Sequence, residues 1–316
     1  MITYRMLLTI VFSFLMTFVS AGEEPVIIHN EAPVAAADIH SGSFEEKLET
    51  AIEHFYQTRW EQAGEQFDEL KKQHPKDPRP YFFESMMPFW EYFFVQQRGE
   101  LADLFLERSE NAVDLSKQRL EEQPNDTTMV LLLSGLHGYR SLVAAGEKKY
   151  RVAIQSGITG FNYTRQLLSI DSERPDAQIG RGMYYYMVGT VPREVRWLTN
   201  AAGLRGDTEM GFQELKKAAE SDNIIRYDAQ MILMYLHEKE EEYDKALQYA
   251  QKLTDRFEEN VIFHYKRGEL LEKTGERSKA IESYNAVITR DNPYLGEITE
   301  LSRKRVEDLQ TLGMKN

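Results

Sequence analysis

The sequence predicts an all-α chain whose helical hairpins stack side by side into a solenoid, and three observations lead there. Two C-terminal stretches echo each other at one constant offset: Ala246 and Ala280, Leu247 and Ile281, Ala250 and Tyr284, Leu253 and Val287. From Phe44 to the end the apolar residues follow a helical period, and no stretch alternates apolar and polar residues long enough for a sheet. A recurring phrase marks the helix ends: Pro75-Lys76-Asp77, Pro124-Asn125-Asp126 and Pro175-Asp176. Proline stops one helix, and Asp or Asn can cap the next. A single hairpin cannot bury its own apolar face, so such units must stack on neighbours.

Residues 1–21 differ in character from the rest. Tyr4-Arg5 opens an apolar run from Met6 to Val19, and Val19-Ser20-Ala21 supplies small residues before Gly22-Glu23-Glu24. This pattern predicts a signal peptide at 1–21, with an uncleaved anchor from Ile2 as the alternative. Residues 22–43 read as a flexible leader, and 44–316 as the solenoid. After signal cleavage no segment is long and apolar enough to be transmembrane. The chain has no cysteine, which removes disulfides, a thiol nucleophile and lipid attachment through cysteine. An exported bacterial protein, periplasmic or secreted, is the simplest account.

The proline phrases Pro75, Pro124 and Pro175 are spaced more widely than the C-terminal echo, so the early units are longer than the late ones. Further breaks fall at Ser221-Asp222-Asn223, Glu259-Asn260 and Asn292-Pro293. They define six hairpins, at 44–75, 78–124, 126–173, 175–221, 223–258 and 260–292, the last two carrying 34-residue repeats at 227–260 and 261–294. A final amphipathic helix with Ile298, Leu301, Leu309 and Leu312 is expected to cap the array.

These units resemble the tetratricopeptide repeat (TPR) superfamily. Against its small-and-large pattern, the last hairpin offers Gly268, Gly275, Ala280 and Tyr284, and the one before it Tyr243, Ala246 and Ala250. The first offers Ala51, Trp60, Ala63, Phe67 and Pro75. The resemblance implies a right-handed TPR-like superhelix. His237 and Leu271 stand where the family is usually aromatic, Glu258 replaces its usual proline, and the middle hairpins are too long. Residues 177–218, with the run Gly180 to Tyr186, Val191-Pro192, Trp197-Leu198, Gly203, Gly206-Asp207 and Gly211, resemble part of the TPR protein 39 family.

Four features are candidates for function. Eleven of the 19 glycines lie between Gly135 and Gly211, either for close packing of helix backbones or to line a cleft. The segment 190–207 carries Arg193, Arg196, Trp197, Asn200 and Arg205, either as a binding loop or with Trp197 tucked in and the arginines paired. Eight aromatics in 81–94 read as a helix buried on several sides, kinked at Pro88, or as an exposed aromatic surface. The projected TPR groove places Asp228, Met231, Tyr235 and Glu238 beside Ile262, Tyr265, Glu269 and Glu272. That face is acidic and suits a basic or extended peptide, unless it is a plain solvated surface.

Candidate partner-binding residues are therefore Tyr184, Tyr186, Arg193, Arg196, Trp197, Asp228, Tyr235, Glu238, Tyr265, Glu269 and Glu272. The net charge of −13 argues against nucleic acid as a general partner. The seven histidines are scattered, with no HExxH and no GxSxG, so no catalytic residue, metal or cofactor is expected. The function these readings predict is an exported, non-catalytic adaptor holding a protein partner in a concave groove. The alternatives are a carrier with a small or lipidic ligand in the glycine- and aromatic-rich middle, and a self-assembling structural protein.

Overall fold

The computed structural model describes residues 41–169, 174–191, 196–197 and 205–314. The predicted signal peptide and nearly all of the leader lie outside them, as do Arg193 and Asn200. The described residues form thirteen α-helices, paired in sequence. The pairs are α1 (Ser41–Tyr56) with α2 (Trp60–Gln73), α3 (Pro78–Trp90) with α4 (Gly99–Glu122), and α5 (Thr127–Gly146) with α6 (Tyr150–Ser169). There follow α7 (Pro175–Gly189) with α8 (Thr208–Ala219), α9 (Arg226–Lys239) with α10 (Tyr243–Arg256), and α11 (Val261–Lys273) with α12 (Arg277–Arg290). Helix α13 (Gly296–Met314) lies against α12 and α11. This is the predicted solenoid of six hairpins and a capping helix, with no strand among the described residues.

Local chemistry explains where helices start. The Asp77 carboxylate accepts from the Arg79 amide at 3.0 Å, Asp126 from Met129 at 3.1 Å, and Asn260 from Phe263 at 2.8 Å. Each bond satisfies an amide that the first helical turn leaves without a partner. Pro175 opens α7, where its missing N–H costs nothing. The early units are long because their helices are: α4 has 24 residues and α5 and α6 have 20 each, against 14 in α10 and α12.

Four hairpins turn in the same way. The residue two places before the second helix is left-handed: Thr58 (φ 55°), Lys148 (φ 60°), Glu241 (φ 63°) and Gly275 (φ 79°). Only the last is a glycine. A left-handed side chain costs roughly 1–2 kcal/mol, and glycine returns part of that to the unfolded chain. Glu241→Gly is therefore expected to stabilise the protein by about 0.5–1 kcal/mol, read as a rise in melting temperature.

The repeated positions form the core. Ala246, Ala250, Leu253, Ala280, Tyr284 and Val287 are fully buried. Gly268 leaves room for the Tyr284 ring, since a Cβ there would sit 2.6 Å from it. The aromatic run is core as well: Phe89, Trp90 and Tyr92 are buried, and Tyr81, Phe82, Phe83, Phe93 and Phe94 pack on them. Pro88 lies inside α3, and the chain then widens into a π turn over Glu91–Val95. The Glu91 amide is shared between the Met87 and Pro88 carbonyls, an adjustment typical near an interrupted helical ladder.

One property of the array follows from none of its local periods. The first two hairpins meet the last two and the cap, so a single hydrophobic cluster runs from Phe44 to Val143 and resumes from Tyr227 to Leu309. The solenoid is closed on itself.

Candidate functional site

The closing contact is built around the turn between α1 and α2. The Tyr56 hydroxyl donates to Asp228 of α9 at 2.5 Å, and its ring stacks on Phe257 with centroids 4.9 Å apart. Two asparagines from successive units grip the backbone of this turn. The Asn260 amide donates to the Tyr56 carbonyl at 2.5 Å, and the Asn292 amide to the Thr58 carbonyl at 2.8 Å. The Thr58 hydroxyl donates to the Glu259 carbonyl at 3.3 Å and accepts from the Val261 amide at 3.4 Å. Outside this polar centre, Arg256 makes a two-pronged pair with Glu53, and Arg59 one with Glu259. Beside it, the Trp90 ring lies 5.6 Å from Phe263 and Phe93 lies 5.5 Å from Tyr235.

The projected groove residues therefore meet different fates. The Asp228 carboxyl is half-buried and accepts from Tyr56, and Tyr235 has Phe93 against its ring. Tyr265 is buried, 5.5 Å from the Tyr284 ring. The groove glutamates are paired. Lys266 lies between Glu238 (3.1 Å) and Glu269 (2.8 Å), its own side chain mostly buried. Glu272 accepts from Arg305 of α13 at 2.9 and 2.7 Å and from the Tyr284 hydroxyl at 2.5 Å. Burial pushes the Tyr265 hydroxyl up to about 12. The surface is thus less acidic than the projected column, because Lys266 and Arg305 set two cations against Glu238, Glu269 and Glu272.

Residues 235–294 match the tetratricopeptide repeat family. These units are tetratricopeptide repeats. No curated protein matches the chain. The matched span takes in Tyr235, Glu238, Tyr265, Glu269 and Glu272, so these groove positions belong to the TPR units themselves; Asp228 precedes the span.

Upstream of the TPR units, several glycines of the middle region lie against neighbouring helix backbone. A Cβ at Gly211 would stand 2.8 Å from the Tyr186 amide and 2.9 Å from the Gly182 carbonyl. One at Gly206 would stand 2.1 Å from the Gly189 amide. These glycines let α7 and α8 pack backbone to backbone, and the space beside them holds helix, not ligand. Tyr184 is buried against Phe161, and Tyr186 is buried with its hydroxyl donating to Glu240 at 2.6 Å. Burial and Glu240 together raise the Tyr186 hydroxyl far above its ordinary range. From the 190–207 segment, Arg196 donates to the Gly189 and Val191 carbonyls, both at 3.2 Å. Trp197 is 65% exposed instead of tucked into a groove.

His237 is held between the Phe212 and Tyr249 rings and hydrogen-bonds Glu242 at 2.6 Å. Among the described residues, no three His, Asp or Glu side chains are grouped to hold a metal ion. No described helix is long and apolar enough to cross a membrane. Sequence reasoning missed Tyr56, Thr58, Asn260 and Asn292 as partners, having read the asparagines only as helix breaks. Their partners lie between 172 and 234 positions away, which no local pattern encodes.

Proposed function

We propose that this chain is an exported, non-catalytic scaffold that holds a protein partner on its tetratricopeptide repeats. The observation that carries the reading is the repeat match over α9 to α12, on the helices that bear Glu238, Lys266 and Glu269 at one polar cluster. Half-buried charges of both signs give a partner's polar groups orientation and register more than raw affinity. The exposed Trp197 adds an aromatic anchor of the kind enriched at interfaces. The N-terminal signal pattern supports export.

Affinity capture from envelope extracts is expected to recover one defined partner, and Glu269→Gln with Trp197→Ala to weaken its retention at least tenfold at unchanged helicity. Recovery of no partner at both low and moderate salt would overturn the scaffold reading. Export is checked separately. Fractionation with intact-mass measurement should give an extracytoplasmic form that begins at Gly22.

A further inference from the structure

We propose that the turn over residues 53–60 is an intramolecular ligand of the last repeats, a plug that closes the solenoid with Tyr56 and Asp228 as an acid-tightened latch. Three features point the same way. First, side-chain amides of Asn260 and Asn292 hold main-chain carbonyls of a distant segment, while Asp228 receives its aromatic side chain. The segment is thus held as a bound peptide can be, with main-chain bonds for affinity and a side-chain site for specificity.

Second, Thr58 is β-branched and left-handed, with φ 55°. The other hairpins make the same turn, so this conformation is local, but here the polar groups of Thr58 are used across the contact. They meet the Glu259 carbonyl, the Val261 amide and Asn292, all on the other side. Opening would leave those bonds unmade.

Third, Asp228 is a half-buried carboxyl that receives the Tyr56 hydroxyl and has no cation on it among the described residues. The groups that face it are phenols: Tyr56 from α1 and Tyr139 from α5. The nearby Arg226 and Arg256 are spent on the Tyr227 hydroxyl, and Arg256 also on Glu53. Burial pushes the Asp228 carboxyl up to about 6, against the lowering effect of the Tyr56 hydrogen bond. The closed form therefore binds a proton that the open form releases. Closure is favoured below about pH 6 and weakened as pH rises through it. The rim carboxylates do not titrate with it. Against the raising effect of burial, Arg256 holds Glu53 below the usual carboxylate range, and Arg59 holds Glu259 there too. His264, whose burial lowers it to about 4, stays neutral across this window.

The absence of cysteine makes the test direct. Glu49→Cys with Lys252→Cys places two spin labels on exposed positions, one helical turn from the Glu53–Arg256 pair. The full chain should give one narrow, short distance at pH 5 and a growing longer population by pH 8. With the carboxyl near 6 in the closed form and at its ordinary value in the open form, the closed-to-open ratio should change by about tenfold between these limits. Asp228→Asn should keep the short distance at both values. Tyr56→Phe, which leaves the ionised carboxylate without its donor, should enlarge the open population at pH 8. An unchanged distribution from pH 5 to 8, or a pH response that survives in Asp228→Asn, would overturn the proposal. No partner is present in this measurement, so its failure leaves the scaffold reading standing.

Discussion

Gly206→Ala is expected to unfasten α8 from α7. The added methyl would meet the Gly189 amide at 2.1 Å and the Val188 carbonyl carbon at 2.3 Å, and neither is a side chain that can swing aside. The backbone bond from the Asp207 amide to the Tyr185 carbonyl, now 3.1 Å, would have to lengthen or break. Overpacking against rigid backbone costs about 3 kcal/mol or more. The melting temperature should fall by roughly 6–12 °C, with amide exchange accelerated through 175–219. Gly64→Ala is the control. It sits inside α2 with nothing within 4 Å of the new methyl, and it should gain about 0.5–1 kcal/mol from helix propensity alone. Equal effects of the two substitutions would show that α7 and α8 are not packed through their glycines.

Asn260→Ala is expected to cost about 2–4 kcal/mol, against about 1 kcal/mol for loss of an exposed helix cap such as that in Asp207→Ala. The asparagine is fully buried and does two jobs. Its side-chain oxygen caps α11 through Phe263, and its amide satisfies the Tyr56 carbonyl across the closing contact. Removing it leaves that carbonyl buried without a donor. Hydrogen exchange separates the two contributions. Amides at the end of α1 and the start of α11 should quicken together, although Tyr56 and Asn260 stand 204 positions apart in the chain. A response confined to α11 would mean that the closing contact contributes no stability.

The architecture was legible because its signals are local. Proline followed by an Asp cap marks the boundaries at Asp77 and Asp126, Pro175 itself opens α7, and the 34-residue echo of Ala246, Ala250 and Leu253 fixes the late ones. The glycine enrichment was legible as a feature but not as a choice between packing and cleft. Only the facing helix decides that, as Gly211 against Tyr186 does. The projected groove omits Lys266, folded between Glu238 and Glu269, and Arg305, which reaches Glu272 from α13, because neither stands in the projected column. Trp197 was open to either reading, and its exposure is a property of the loop's path. Least legible was the pairing of Tyr56 with Asp228. A phenol and a carboxylate 172 positions apart carry no mutual signal in a single sequence.

Closure also changes what kind of object unfolds. In an open stack of repeats each terminal unit has a single neighbour, frays first, and lets the rest unravel one unit at a time. Joining α1 and α3 to α9, α11 and α13 gives the first and last hairpins a second neighbour, so neither is an end. The chain should therefore melt as fewer, larger cooperative blocks than a linear array of the same length. The joining step should also be the slow one in folding, because the loop it closes is the longest in the molecule.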